Sequence, residues 1–378
     1  MTRTFDPSRE PQPDFELVRK QLAKGYDGPL LVVDSAVLRE KVRRFQAAMP
    51  RVHIHYAVKC NPDPAILRVL REAGAGFEIA SPAELDLCRD IGVAAQELYF
   101  SNPMRAREAI AIAAEAGVQW YVVDSVSELH KVHGIAPHAS FYLRLHTSNE
   151  GSVSPLSEKF GVFDEEIDAI LDEAVRLGAD LAGATFHAGS QCLNPENWRI
   201  GISAALALFA QMRSRGLTPR LLNLGGGFPV EHDSPVPSIT SIGEIINAAL
   251  AAVPDEIRVM AEPGRFLVSD SAYLVCKVIG QTVRRGQPWA YLDAGVFNGL
   301  LETTTGITYD MRSDRHGALT SWVVAGPTCD SMDICTRNQP LPNDIQEGDF
   351  IYVRNAGAYS NACAGRFNGF DLPKVVVV

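Results

Sequence analysis

His55-Tyr56-Ala57-Val58-Lys59-Cys60-Asn61 closes an apolar, aromatic run that begins at Val52. The run reads as a strand buried in a sheet, and Asn61, Pro62 and Pro64 stop it. Lys59 therefore stands at a strand end beside a turn, where its side chain can point into a cleft. Desolvated there, its amine would lose its proton more easily and attack a carbonyl. A surface lysine capping a strand is the plainer reading, because lysines rarely bury unpaired.

Similar runs recur downstream at 76–80, 98–101, 120–124, 140–145, 182–188, 220–225 and 258–262. Helical patterns lie between most of them, at 65–73, 82–91, 106–116, 165–177 and 202–213, with apolar residues at i, i+3 and i+4. Eight strands alternating with helices is the arithmetic of a (β/α)8 TIM barrel. An open doubly wound sheet accounts for the alternation, but eight near-even units favour closure. Upstream, residues 1–28 are polar and contain proline. Leu30 to Val33 then gives a short strand, and Asp34 or Ser35 caps a helix with Val37, Leu38 and Val42 on one face. From Phe266 onward the texture changes. Runs rich in Val, Leu, Tyr and Ile at 266–284, 289–293, 321–325, 349–353 and 373–378 read as a β domain, and the polar stretch 303–319 as a loop. The expected division is an N-terminal segment over 1–29 associated with the β domain, a barrel over 30–265, and a C-terminal β domain over 266–378.

The 378 residues are 46% hydrophobic and 21% charged, with a formal charge of −10. That balance argues against nucleic acid or an anionic membrane as partner and favours a cationic small molecule. No apolar run is long enough to cross a bilayer. The first ten residues hold no apolar signal core, so a cytoplasmic protein is expected. Seven scattered cysteines without CxxC spacing suggest neither a disulfide framework nor a metal site.

Barrel enzymes build their sites at the C-terminal ends of the strands. Lys59, Glu78, Arg144, His187 with Ser190, the run Gly225, Gly226 and Gly227, and Glu262 with Gly264 and Arg265 all fall in or beside strand runs. Three glycines let backbone N–H groups approach a phosphate, though a flexible turn explains them as well. Arg265 would add charge to the same phosphate. Glu262 suits the nitrogen of a pyridine ring, which it keeps protonated, and equally suits a structural salt bridge. His187 on an apolar strand reads alone as a core histidine.

Seven segments together carry a resemblance: Tyr56-Ala57-Val58-Lys59-Cys60-Asn61, Phe77-Glu78-Ile79-Ala80-Ser81, Phe186-His187-Ala188-Gly189-Ser190, Gly225-Gly226-Gly227-Phe228-Pro229, Glu262-Pro263-Gly264-Arg265, Gly326-Pro327-Thr328-Cys329-Asp330 and Gly357-Ala358-Tyr359. In this order they resemble the fold-type III pyridoxal-phosphate-dependent decarboxylases. That superfamily contains the ornithine, lysine and diaminopimelate decarboxylases, and its barrel is related to that of alanine racemase. The resemblance implies pyridoxal 5'-phosphate as cofactor, joined to Lys59. His187 would stack on its ring and Glu262 would face its nitrogen. Ser190, Gly227, Arg265 and Tyr359 would hold its phosphate, Gly225, Gly226 and Gly264 would also line the cofactor, and Glu78 and Arg144 would lie nearby. Cys329 would return the proton after CO2 leaves, and Asp330 would bind substrate. Both would be donated across a head-to-tail homodimer with shared sites.

The resemblance also bears on substrate. Gly-Pro-Thr-Cys-Asp is the diamine-forming version, whereas diaminopimelate enzymes usually carry Glu after that Cys. They also carry an arginine after the strand near 293, and the stretch 293–302 has none. L-Ornithine, or else L-lysine, is therefore the expected substrate. An unusual biosynthetic amino acid, diaminopimelate, or a catalytically inactive regulatory relative are the alternatives. Phe297 stands where eukaryotic ornithine enzymes have a tyrosine, so the chain looks closer to the shorter bacterial ornithine/lysine enzymes. Glu302 and Asp310 are the two candidates for a second acidic substrate contact.

Overall fold

The computed structural model describes residues 5–6, 10–156 and 158–378. It divides into two compact units. One holds 42–229 and 236–264; the other holds the described residues up to Lys41, then 230–235 and 265–378.

The first unit is a closed barrel. Its strands are Val52–Ala57, Gly76–Ile79, Tyr99–Phe100, Trp120–Val123, Ser140–Arg144, Asp180–Thr185, Leu221–Asn223 and Arg258–Ala261. They pair in parallel from each to the next, and the last returns to the first through Ala261 opposite Ile54. These are the eight expected runs with bounds moved by up to three residues; the sixth, expected over 182–188, starts and ends earlier, at Asp180 and Thr185, which places His187 just beyond it. Continuous apolar strands are what a parallel sheet with both faces covered requires. The interior is filled, not open. His55, Tyr99, Trp120 and Tyr142 form an aromatic layer, with Tyr99 stacked on Trp120 at 5.8 Å and His55 edge-on to Tyr99 at 4.6 Å.

A repeated local device keeps the strand-to-helix turns short. Asp63 accepts from Ala65 N–H ahead of helix Pro64–Glu72, and Ser81 accepts from Glu84 N–H ahead of Pro82–Asp90. Ser125 does the same for Val126–His133. Each cap satisfies an N–H that the first helical turn leaves without a partner. The polar residues at strand ends are thereby held by rigid turns. Helices Val126–His133 and Ile239–Leu250 were not among the expected segments, although the first carries a Ser-x-x-Glu start.

The second unit is a mixed sheet. Its main path runs Met311–Ser313, Phe350–Arg354, Ala272–Arg284, Gln287–Leu292, Leu319–Ala325, Ile334–Pro342. Leu30–Val33 belongs here, antiparallel to Ala272–Arg284 and parallel to Lys374–Val377. The expected barrel began at residue 30. The strand itself was legible, but its partners lie some 240 and 340 residues away, and no local pattern specifies such a pairing. Three other readings are corrected. Residues 265–271 are helical turns, not strand. Ile334–Pro342 is a strand that alternation did not reveal, since it ends in two prolines around a leucine. The stretch read as a loop over 303–319 contains the strand Met311–Ser313. Helix Phe15–Leu22, within a segment read only as polar, buries Val18 and sets Phe15 edge-on to Tyr273 and Tyr352. Residues 1–4 and 7–9 of that segment lie outside the described residues.

A buried ion pair anchors the turn that carries Arg265. Lys41 Nζ lies 2.8 Å from Asp270, both side chains 1% exposed, and 3.9 Å over the Phe266 ring. Lys41 Nζ also lies 2.9 Å from Glu10 and keeps that partner if Asp270 is lost, whereas removing Lys41 would leave the buried Asp270 carboxylate uncompensated, at a cost of about 3–5 kcal/mol.

Candidate active site

In the barrel unit, Lys59 sits on a single 3-10 turn, Val58–Cys60, directly after the first strand. Its Nζ lies 3.2 Å from both oxygens of Glu78 on the second strand. The Lys59 side chain is 47% exposed and that of Glu78 1%. The amine thus faces open space while its counter-ion is interior. Burial pulls the amine down, but Glu78, Glu262 and Glu84 outweigh it and hold it above the ordinary lysine value. The expectation of an amine deprotonated by desolvation is corrected accordingly. Burial is one influence on the amine, and three carboxylates beside it are a stronger one.

Glu262 follows the eighth strand and is buried. Ser101 Oγ donates to its Oε1 at 2.5 Å and Asn223 Nδ2 to the same oxygen at 2.6 Å. The Tyr142 hydroxyl sits 2.6 Å behind Ser101 Oγ. Burial and then Glu78 push the Glu262 carboxyl up to about 7. Glu262 can therefore hold or release a proton near neutrality, as a partner for a ring nitrogen must.

His187 follows the sixth strand. Gly189 N–H donates to its Nδ1 at 3.0 Å, so the ring proton belongs on Nε2. Burial, with the cations Arg144 and Lys59, lowers this imidazole to about 3. It is a neutral flat ring at any ordinary pH. Its backbone is held from behind, with Asn149 Nδ2 donating to the His187 carbonyl at 2.7 Å and Ser152 Oγ to that of Ala188 at 3.0 Å. Arg144, at the end of the fifth strand, lies over the Phe160 ring. Ser190 opens the short strand Ser190–Cys192, paired with Ser152–Ser154.

The glycine run is a built feature, not a slack turn. Gly225 has φ +63°, and a Cβ there would meet the Phe186 carbonyl oxygen at 2.0 Å. Gly227 has φ +103°, and its Cβ would meet the Gly189 oxygen at 2.3 Å. Only glycine allows backbone to approach backbone this closely.

In the β unit, Arg265 is buried and lies over the Tyr359 ring at 5.2 Å. Tyr359 itself has φ +56°, a left-handed conformation that a bulky residue adopts only where its surroundings enforce it. Cys329 and Asp330 occupy the loop between Leu319–Ala325 and Ile334–Pro342. The Cys329 thiol and backbone N–H both donate to Asn368 Oδ1, at 3.3 and 3.1 Å. Asp333 fixes this loop: its carboxylate accepts from Val296 N–H at 2.7 Å and from the Thr328 hydroxyl at 2.7 Å. Of the two candidates for a second acid, Glu302 binds Arg265, whereas Asp310 pairs with Arg312 and Arg354.

Sequence reasoning missed Ser101, Asn223, Tyr142, Glu84 and Asp333. Ser101 and Asn223 were within reach, since both stand at C-terminal ends of barrel strands. Glu84 lies one turn into its helix, where its Oε2 accepts from Ala80 N–H at 2.6 Å. Burial and then Glu78 push its carboxyl up to about 7, from an ordinary 4.5. A carboxyl raised in the fold contributes stability below its unfolded value and loses it as pH rises through the folded value. Between pH 5 and 7 Glu84 and Glu262 lower stability as pH rises, while the buried imidazoles His55, His187 and His232, held at about 3 to 4, raise it up to the ordinary histidine value. Glu84→Gln removes one of the opposing carboxyls, so its melting temperature should rise relative to wild type as pH goes from 5 to 7 in thermal melts, and a constant difference across this range would count against the assignment.

A closed barrel with a lysine, a proton-sharing acid and a neutral imidazole gathered beyond its strands is the frame of a cofactor-dependent enzyme. Residues 35–269 match the family model described as "Pyridoxal-dependent decarboxylase, pyridoxal binding domain". The chain is 33% identical to an ornithine decarboxylase of Schizosaccharomyces pombe over 91% of this chain and 82% of that one. It is 30% identical to a lysine/ornithine decarboxylase of Selenomonas ruminantium, over 95% and 91%. An antizyme inhibitor 2 of Xenopus laevis is 33% identical over 91% and 79%. The arginine decarboxylase of Paramecium bursaria Chlorella virus, solved bound to agmatine, superimposes with a TM-score of 0.91 at 28% identity, over 96% of this chain and all of that one. The chain belongs to the pyridoxal-dependent decarboxylases, and its cofactor is pyridoxal 5'-phosphate. The residues present fit that group. The glycine run leaves room at the backbone, Glu262 suits the ring nitrogen, and the Lys59 amine is accessible.

Proposed function

We propose that the chain decarboxylates a basic L-amino acid, L-ornithine first and L-lysine second, to the diamine and CO2. The observation that supports this most is the convergence of Lys59, Glu262 and His187 on one end of the barrel, together with an acid at position 330 and no arginine across 293–302. Pyridoxal 5'-phosphate supplies an electron sink for the electron pair left when CO2 departs.

In this reading Lys59 holds the cofactor through its amine and yields to the substrate amine. Glu262 shares a proton at Oε2 with the ring nitrogen while Ser101 and Asn223 hold Oε1. His187 offers its neutral face, Ser190, Gly227, Arg265 and Tyr359 hold the phosphate, and Gly225, Gly226 and Gly264 line the cofactor. Glu78 and Arg144 set the charge around them. Cys329 delivers a proton to the α-carbon, and Asp330 pairs with the distal ammonium. The working unit in this reading is a head-to-tail homodimer in which the partner supplies Cys329 and Asp330. A cytoplasmic location accords with seven free thiols. Among the described residues, no helix is long and apolar enough to cross a membrane.

The test is CO2 release from ornithine, lysine, arginine, meso-diaminopimelate and larger amino-acid conjugates, with Asp330→Ala alongside. Ornithine or lysine should lead and diaminopimelate trail. Losing the acid opposite a desolvated ammonium costs on the order of 2–5 kcal/mol. Asp330→Ala should therefore lower kcat/KM for the basic substrates by roughly two orders of magnitude or more. A best rate on diaminopimelate, or a ranking untouched by Asp330→Ala, overturns the substrate reading.

A further inference from the structure

The carboxylate on Arg265 is the feature this reading leaves unused. Glu302 stands on the short turn Leu301–Thr305. Arg265 Nη1 donates to its Oε2 at 2.8 Å, and Nη2 donates to its Oε1. The side chains are 6% and 14% exposed. This is a buried, two-point pair, the geometry in which a guanidinium also receives two oxygens of a phosphate. The threonines of the turn do not compete for Glu302. Thr303, Thr304 and Thr305 donate their hydroxyls to the carbonyls of Leu300, Leu301 and Glu302. Neighbouring titratable groups add no charge. Burial keeps Tyr309 and Cys363 protonated, and burial with Arg265 holds His232 down at about 4.

We propose that Glu302 is a resident anion on the phosphate-binding arginine, and that it sets how tightly this chain holds the phosphate of its cofactor. The proposal rests on the reading of Arg265 as a phosphate ligand. A phosphate monoester reaching Arg265 meets a guanidinium already neutralised and a carboxylate that repels it. Glu302 must yield one or both hydrogen bonds, so cofactor affinity carries the cost of displacing it. The same geometry removes Glu302 as a second contact for a distal ammonium, because both its oxygens are engaged. Asp330 is then left as the acid for the substrate's far end.

The experiment compares the full chain, stripped of cofactor by dialysis against hydroxylamine and then buffer, with Glu302→Gln, Glu302→Asp and Arg265→Lys. Dissociation constants are read by fluorescence titration for pyridoxal 5'-phosphate and for pyridoxal, which lacks the phosphate. Thermal protection by inorganic phosphate is read in parallel. Glu302→Gln should tighten pyridoxal 5'-phosphate about tenfold, leave pyridoxal unmoved, and shift phosphate protection to lower concentration. If Glu302→Gln fails to fold for want of a charge on buried Arg265, Glu302→Asp keeps the charge with a shorter reach and should tighten binding several-fold. Unchanged or weaker phosphate-dependent binding in the folded variant overturns the proposal. So does a raised KM for the diamino acid with cofactor affinity unmoved, which would make Glu302 a substrate contact. If Arg265→Lys does not alter the ratio between the two ligands, the phosphate role of Arg265 falls instead. If Arg265→Lys weakens the phosphate ligand alone and the Glu302 variants change nothing, only the role of Glu302 falls.

Discussion

Replacing Lys59 by alanine should abolish decarboxylation, by about three orders of magnitude or more, and remove the covalent hold on the cofactor. The wild-type protein should be yellow, lose its visible band on borohydride reduction, and carry the reduced pyridoxyl group on the Lys59 peptide. The Lys59 amine is the exposed end of a pair whose other end, Glu78, is buried on the neighbouring strand. Glu78 therefore aims the amine while Glu262 and Glu84 keep protons within the same cluster. Alanine leaves Glu78 without its cation, so loss of fold must be separated from loss of chemistry. Lys59→Arg does this. It keeps a positive charge near Glu78, yet a guanidinium does not deprotonate and cannot take over the attachment. Both variants should lose the visible band and the activity, with Lys59→Arg melting near wild type. A borohydride label on another lysine would sink the assignment.

The parts legible in the sequence were those that repeat. Eight buried parallel strands leave an apolar run each time, and Lys59, Glu78, Arg144, His187 and Glu262 stand in or directly after such runs. What escaped was set by contacts distant in sequence. Leu30–Val33 reads as a strand anywhere, and only its pairing with Ala272–Arg284 and Lys374–Val377 shows which sheet it joins. Ser101 and Asn223 are single polar residues with no period, and their purpose appears only when both meet one oxygen of Glu262. The protonation of Lys59 was read with the wrong sign because burial was visible in the pattern and the convergence of three carboxylates was not. That Glu302 and Asp310 both meet arginines was not legible either, since for Arg265 and Glu302 it is a fact of folding across 37 residues.

A mixture of two dead proteins should regain activity. In the proposed reading, Lys59→Ala lacks the lysine that holds the cofactor, and Cys329→Ala lacks the proton donor. If each site takes Lys59 from one subunit and Cys329 from the other, a hybrid dimer of the two variants concentrates both lesions in one site. Its second site has Lys59 from the Cys329→Ala chain and Cys329 from the Lys59→Ala chain, and is intact. With random exchange about half of the dimers are hybrids and about a quarter of all sites are intact, so recovery should approach roughly 25% of wild-type activity. The exposed position of Cys329, its thiol and N–H both held on Asn368 Oδ1, suits a residue presented outward by its own subunit. The Asp333 carboxylate that ties down this loop keeps that presentation rigid. Subunit exchange is verified independently with a mass-tagged chain. Exchange without recovery places each site within a single subunit, and recovery well above a quarter of the wild-type rate shows that one of the variants was not inactive.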